Sequence, residues 1–446
     1  MSFRRSRLVL ILFPALLQAQ ESGAPLLKLS MRDAIRMALS PHGSTDLDIV
    51  AEAQRAAEAR SRESHDALLP DMDATVGAQN QVINLAALGF ESVHLPIPGF
   101  SFPRSIGPFD TVDARVHVRQ SAFDLASIRR SRATHAAVET AKDETGEVRG
   151  RVAAEVAKLY LASVRAASLV ETAEVLVGQA GAALREISNR NASGKALDVE
   201  VDRARLQLAS DDQNLLSARM EQNRANLELL DALNRDLDLR LDLTDRLAFI
   251  PQDALEPARA LAIALQSRPD IVAQRQRVKV ARLNDDSIRA ERLPTLAGFA
   301  DLGTLGTGIS DSVGTYDAGV SLRIPVFDSG RRNARLEETQ AMLRQEELRA
   351  AQLERRVRLE VRQALLRLET ARGQVNVSAQ EVAVAEQEVA HRSRLQEQGV
   401  GGQMDLVNAQ VALARANAAR TDALYFWNLA RIELMQALGT IETLAQ

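Results

Sequence analysis

The sequence predicts a mainly α-helical protein that carries a membrane β-barrel, built from a duplicated helix-strand-strand-helix-helix unit. Three observations predict it. Aromatic residues make up only 3 % of the chain and charged residues 26 %, with Ala, Leu, Arg, Glu and Gln abundant, which is the composition of long helices. Val357, Val361, Ala364, Leu368, Ala371, Val375, Ser378, Val382, Ala385 and Val389 recur at alternating spacings of four and three, the period of a coiled-coil seam. The same seam occurs in the first half as Val152, Val156, Leu159, Ser163, Ala166, Val170, Ala173, Val177, Ala180, Leu184 and Ile187. Each seam follows a pair of segments whose apolar residues alternate strictly, as in strands.

Residues 1–19 read as an export signal. Arg4, Arg5 and Arg7 precede the apolar run Leu8–Leu17, which is too short to span a bilayer, and Ala19 precedes the expected cut. An uncleaved anchor is the alternative. The chain has no cysteine, so neither a disulfide nor a lipid-anchor cysteine is available. No other stretch has the ~18 consecutive apolar residues of a membrane helix, so any crossing must be made by strands. The net charge is −4, and it grows more negative without the three signal arginines. With no basic block, a nucleic-acid partner is excluded.

The first repeat covers residues 20–245. Ser30 caps a short helix that ends near Leu39, and the 41–45 stretch breaks it. A helix from about Asp46 stops at Pro70. Strands follow at about 71–82 and 110–120: Met72, Ala74, Val76 and Ala78 in the first, Val112, Ala114, Val116 and Val118 in the second, alternate with polar residues. The intervening 83–110 stretch, with Pro96, Pro98, Pro103 and Pro108, reads as an exposed loop. A helical hairpin then occupies about 125–234, with its tip at 191–197. Residues 240–251 form a connector in which Leu and Asp alternate.

The second repeat, 246–446, follows the same order. Leu255–Leu265 and Asp270–Pro294 match the earlier helices, including the closing Leu-Pro. Strands are expected at about 295–303 and 314–326, joined by the glycine-rich 303–314 loop, and a hairpin at about 329–438 has its tip at 399–404. A duplication of this size governs how every local motif is read.

Geometry adds two expectations. A helix over 125–190 is ~100 Å long at ~1.5 Å per residue, close to the summed lengths of the helices at 46–69 and 197–234. Those two therefore stack end to end beside it, with a belt where they meet. Four strands do not close a barrel, and an open sheet edge in lipid is prohibitive. A trimer closes a 12-stranded barrel, an even number within the bacterial range, continuous with a long α-helical coiled-coil barrel. Gly146, Gly150, Gly178, Gly181 and Gly373 each cost about 1 kcal/mol of helix propensity, which close approach of neighbouring helices explains.

The chain resembles the TolC-like outer-membrane efflux family. The resemblance rests on the duplicated element order, on Leu69-Pro70 and Leu293-Pro294 leading into the strands, on Ile324-Pro325-Val326-Phe327-Asp328-Ser329-Gly330 before the long helix, and on Gly399 followed by Asp405. It implies a homotrimeric channel in the outer membrane of a Gram-negative-type bacterium, extending into the periplasm and embedded in outer-membrane lipid. A periplasmic adaptor (membrane fusion) protein would join it to an inner-membrane pump, in a tripartite efflux or type I secretion system. By the same resemblance the adaptor docks at the tips: Ala192, Ser193 and Gly194 in the first, Gly399, Val400, Gly401 and Gly402 in the second. Asp405 falls where the family places an inward carboxylate, Asn408 where some members have a second, and Asp198 aligns with Asp405. Three copies of Asp405 would form a cation-binding pore constriction. The chain departs from the family at Asn408, which is not acidic. It departs also at Gln396 and Gly401, which replace an aromatic and a basic latch residue, and at the first tip, which lacks the aligned glycine.

Simpler readings stand beside these. Asp405 is also a carboxylate in a helix first turn, stabilised by the macrodipole. The 303–314 loop lacks the Lys-Ser/Thr of a phosphate loop and precedes a strand, so it reads as a hairpin loop. The six histidines are scattered without ligand spacing, which predicts no metal site. Tyr425, Phe426 and Trp427 read as packing against the belt. No nucleophile motif or acid/base pair is present, which predicts neither an enzyme nor a cofactor. The competing class is a soluble periplasmic coiled-coil adaptor or scaffold with a small water-exposed sheet.

Overall fold

The computed structural model describes residues 26–90, 97–253, 255–398, 400 and 403–445. The expected export signal at 1–19, Pro96 in the first loop, and Gly399, Gly401 and Gly402 at the second tip lie outside these residues. The first half runs β1 (Leu26–Leu29), α1 (Met31–Ala38), α2 (Thr45–Asp66), β2 (Asp71–Asn84), β3 (Ser105–Phe123), α3 (Leu125–Ala192) and α4 (Asp198–Ala232). The second runs β4 (Arg240–Leu243), α5 (Pro257–Ser267), α6 (Pro269–Ala290), β5 (Thr295–Gly306), β6 (Val313–Arg323), α7 (Arg331–Glu397) and α8 (Gln403–Leu438), then a 3-10 turn, Ile441–Ala445.

Local chemistry sets the helix starts. Ser30 Oγ accepts the Asp33 N–H at 3.2 Å and caps α1. Asp124 does the same for α3, accepting from the Ser127 N–H at 3.1 Å. At α7 the Asp328 carboxylate accepts the Arg332 N–H at 3.0 Å, and Gly330 takes the left-handed conformation with φ 86°. The aspartate of the Phe-Asp pair before each long helix is thus an acceptor for the helix start. α5 and α6 both begin with proline, whose missing N–H has no partner in a first turn.

The four long strands form one antiparallel sheet of order β2-β3-β5-β6. Its polar-face register places Asp73, His117, Asp301 and Asp317 in one row across all four strands. β2, β3 and β5 exceed their sequence-predicted spans. β3 begins at Ser105, so the loop expected over 83–110 is shorter. Its Pro108 lies at the register shift opposite Val82, a position where no ladder donor is required. β5 continues to Gly306, which shortens the glycine-rich loop to 307–312, whereas β6 ends at Arg323 because Pro325 has no N–H to donate.

The sequence reading missed a second sheet. β1 and β4 pair in parallel, Leu26 with Arg240 through Leu29 with Leu243, where only a connector was expected. The Leu-Asp alternation at 238–243 carried that signal. A strand of four residues shows its pairing only through a partner far away in sequence.

The helices lie side by side in the order α4, α3, α8, α7, with α2 continuing the line of α4 and α6 that of α8. The expected end-to-end stacking is observed. Near Val152 of α3 the end of α4 meets the start of α2: the Asn234 side chain donates to the His42 carbonyl at 3.2 Å, and Arg151 lies 3.5 Å from Asp46. Beside α7 the corresponding junction is held by Arg268, which pairs with Asp270 at 2.7 Å and Glu360 at 2.6 Å and donates to the Ala437 carbonyl at 3.2 Å.

Both seams point inward. All seam positions of α3 are buried except Leu159, Val177 and Leu184, which are half-buried, as are Leu368, Ala385 and Val389 in α7. Val357, Val361 and Ala364 pack on Leu434, Ala437 and Leu438 of α8, and Ile187 packs on Val201 and Ala204 of α4. Ser163 is accommodated because its hydroxyl donates to the Ala225 carbonyl at 3.0 Å. Close approach does not explain the helical glycines within this chain. A Cβ on Gly146 or Gly150 would sit 3.5 or 3.6 Å from its neighbour, an ordinary contact, and Gly178 and Gly373 face open space.

The largest core lies at the belt, where Ile35, Val156, Tyr160, Leu229 and Leu233 come together. Among the described residues no helix is long and apolar enough to cross a membrane.

Candidate functional site at the hairpin tips and the strand sheet

At ~1.5 Å per residue, the 68 residues of α3 and the 67 of α7 separate the sheet from the hairpin tips by ~100 Å. The molecule therefore has two chemically distinct ends.

At the first tip α3 closes on a left-handed glycine. Gly194 has φ +70° and the Lys195 N–H reaches back to the Arg190 carbonyl at 2.8 Å, which satisfies the carbonyls a helix end leaves free. Ala192, Ser193 and Gly194 are all exposed. The Asn191 side-chain amide donates to Asp198 Oδ1 and to the Ala196 carbonyl, both at 3.0 Å, and so ties the two sides of the turn. Glu200 accepts the Leu197 N–H at 3.0 Å. Asp198 is exposed but engaged within its own turn.

At the second tip the Val400 N–H donates to the Leu395 carbonyl at 3.1 Å, and the Val400 side chain is exposed. Asp405 lies in the first turn of α8, more than half exposed, 4.0 Å from Arg392 of α7. Arg392 also pairs with Glu388 at 3.3 Å. Asn408, one turn further, is exposed. Met404 packs on the Ile187, Val201 and Ala204 cluster, so the two tips rest against one another. Sequence reasoning missed Arg392 and Asn191. Neither belongs to a motif, and each matters only through the partner that the fold brings to it.

At the other end the sheet has two unlike faces. One carries Met72, Val76, Leu302, Tyr316 and Leu322, all more than half exposed. The opposite face carries the His117–Asp301 pair, with Thr75 3.0 Å from the other ring nitrogen, and Arg115 paired with Asp113 at 2.8 Å. The apolar face is open to solvent across all four strands, an exposed apolar patch that a soluble sheet would cover. Among the described residues no group of His, Cys, Asp and Glu has metal-binding geometry.

Tyr425 and Trp427 pack as expected, whereas Phe426 is exposed. Trp427 is buried against Phe249 of the connector with ring centroids 4.8 Å apart, and Arg165 lies 5.2 Å from the Tyr425 ring centroid.

A family model described as outer membrane efflux protein matches residues 260–440. The outer membrane efflux protein BepC of Brucella suis is 28 % identical over 189 residues, 41 % of this chain and 41 % of the relative. The pyoverdine export outer membrane protein OpmQ of Pseudomonas aeruginosa is 25 % identical over 315 residues, 68 % of this chain and 63 % of the relative. The chain thus spans less than two thirds of the length of either relative. The CmeC outer membrane channel of Campylobacter jejuni has the same fold, with a TM-score of 0.78 at 15 % identity, covering 92 % of this chain and 85 % of that one.

Proposed function

From its similarity to outer membrane efflux proteins, we propose that this chain is one protomer of a trimeric exit duct of the TolC-like family. The duct is a passive transport channel rather than an enzyme. It spans the outer membrane as a 12-stranded barrel and continues into the periplasm as a helical tunnel gated at the tips. The observation that carries this reading is the four-stranded sheet with an exposed apolar face and two unpaired edges, β2 and β6. Each strand has 11 residues or more, enough to cross the hydrocarbon core of a bilayer.

The helices support the same closure. α7 continues from the β6 edge and exposes Leu359, Leu366, Val377 and Val384, while α4, on the β2 side, exposes Val199, Leu206, Met220 and Leu227. These unlike faces form a head-to-tail interface, which closes as a ring. Gly178 and Gly373, open in one chain, then belong to the contacts between helices of the ring. The matching order of elements supports two structural repeats, 20–245 and 246–446. The exposed tips, Ala192–Gly194 and the turn around Val400, are the surface offered to a periplasmic adaptor, which links the duct to an inner-membrane pump. A soluble adaptor does not account for an apolar sheet face turned to solvent.

Asp405, with Asn408 and Asp198 nearby, lines the constriction. In planar bilayers Asp405→Ala is expected to raise single-channel conductance and to weaken block by divalent cations about tenfold, the factor that corresponds to about 1.4 kcal/mol for one charge-assisted interaction. Unchanged conductance and block would remove Asp405 from the constriction. A chain that forms no channel at all would overturn the duct.

A further inference from the structure

At the belt the elements β1–α1, α3, the 244–250 connector and α8 enclose a cavity of about 760 Å³ whose positive charge is unbalanced. Arg431 of α8 lines it. Its Nη1 donates to Asn428 Oδ1 at 3.3 Å, its Nε is sealed from solvent without a partner, and no described carboxylate pairs with it. Burial alone holds its pKa below the usual guanidinium value, with no nearby acid to oppose that shift. Arg32 and Arg246 also line the cavity and form no ion pair among the described residues.

The two acids of the cavity are already engaged. Asp33 takes the Ser30 hydroxyl at 2.6 Å and lies 3.7 Å from Arg36. Asp245 accepts the Met31 N–H at 2.7 Å. Away from the arginines the wall is aliphatic, with Leu161, Val164, Leu247 and Ile250. The wall is also fixed in place. The buried Tyr160 hydroxyl donates to the Leu29 carbonyl at 3.0 Å, and Asn428 donates to the Ala248 carbonyl at 3.0 Å. A half-buried guanidinium without a counter-charge, beside apolar wall and preformed space, is a receptor for an anionic head on an apolar body.

We infer that this cavity binds an amphipathic carboxylate, its head on Arg431 with Arg246 and Arg32 at the rim and its aliphatic body against Leu161, Val164 and Ile250. Every element involved belongs to one chain, so the inference does not rest on the trimer or on the exit-duct reading. An inorganic anion would leave the aliphatic wall unused, and a neutral amphiphile would leave Arg431 uncompensated.

The single tryptophan is the reporter, because Trp427 precedes Asn428 and stacks on Phe249, between Ala248 and Ile250 of the wall. The full chain in maltoside detergent is titrated with octanoate, octanamide and inorganic phosphate while Trp427 fluorescence is followed. Octanoate is expected to give a saturable change, with octanamide and phosphate at least about tenfold weaker. Arg431→Gln is expected to weaken octanoate about tenfold and leave octanamide unchanged. The exposed Arg246→Gln is expected to weaken octanoate by a smaller factor, about threefold, and carries the test by itself if Arg431→Gln does not fold. The inference is overturned if octanoate gives no saturable change, if octanamide or phosphate binds as well, or if no folded variant loses octanoate affinity.

Discussion

Leu302→Arg is expected to keep the chain out of the outer membrane. Leu302 lies on the interior strand β5, paired with Val116 on one side and Tyr316 on the other, and its side chain is 57 % exposed on the apolar face. An arginine facing lipid near the bilayer midplane costs about 2–4 kcal/mol, and a trimer carries that cost in each protomer. The interior strand is chosen because a change on β2 or β6 would also disturb the proposed contact between protomers. Thr111→Arg on the other interior strand, β3, puts the same charge on the opposite face; it is the control and is expected to insert. The measurement is the heat-sensitive trimer in detergent-extracted outer membranes. If Leu302→Arg assembles as well as Thr111→Arg, the apolar face does not meet lipid and a water-exposed sheet becomes the better reading.

The largest effect on stability is expected from Trp427→Ala, which removes a side chain only 1 % exposed from the cluster of Ala371, Val375, Ala423 and Ala430. Truncating a buried aromatic of this size costs about 3–5 kcal/mol, because the site collapses only in part. The indole Nε1 has no hydrogen-bond partner, so the whole loss is packing. Trp427→Phe therefore retains most of the stability, whereas a loss by hydrogen bonding would leave the Phe and Ala variants alike. Thermal or denaturant unfolding followed by circular dichroism separates the two. Because Phe249 rests on this ring, the connector between the halves is expected to loosen first and to gain protease sensitivity near 249–252.

The parts of this fold that follow from periodicity were legible in the chain. The two seams and four alternating segments are local patterns; burial follows the seams almost residue by residue, and the alternating segments form the four strands of the sheet. The pairing of Leu26–Leu29 with Arg240–Leu243 was not legible, because four residues hold too little pattern and their partner lies in the other half of the chain. The strand limits near Pro108 and Gly306 were misjudged for a related reason. Proline and glycine mark loops on average, but a register shift or a small neighbour lets the ladder run past them. At the tips, the family resemblance and not the residue type singled out Asp405 and Asp198, since a carboxylate in a helix first turn is ordinary. The ties from Arg392 and Asn191 that hold those carboxylates are tertiary facts with no motif behind them.

The 3-10 turn after α8 has a consequence for how the protein is made. Ile441 is buried in the same core as Ala34 and Ile35 of α1, and Arg36 donates to the carbonyl of Ala445 across a sequence separation of 409. During synthesis the first half therefore emerges with its core open on one side, and residues 441–445 must arrive before α1 is fully covered. Hydrophobic surface left exposed in that interval marks any chain that stops short, so partly made or clipped copies remain open to proteases while complete ones are sealed.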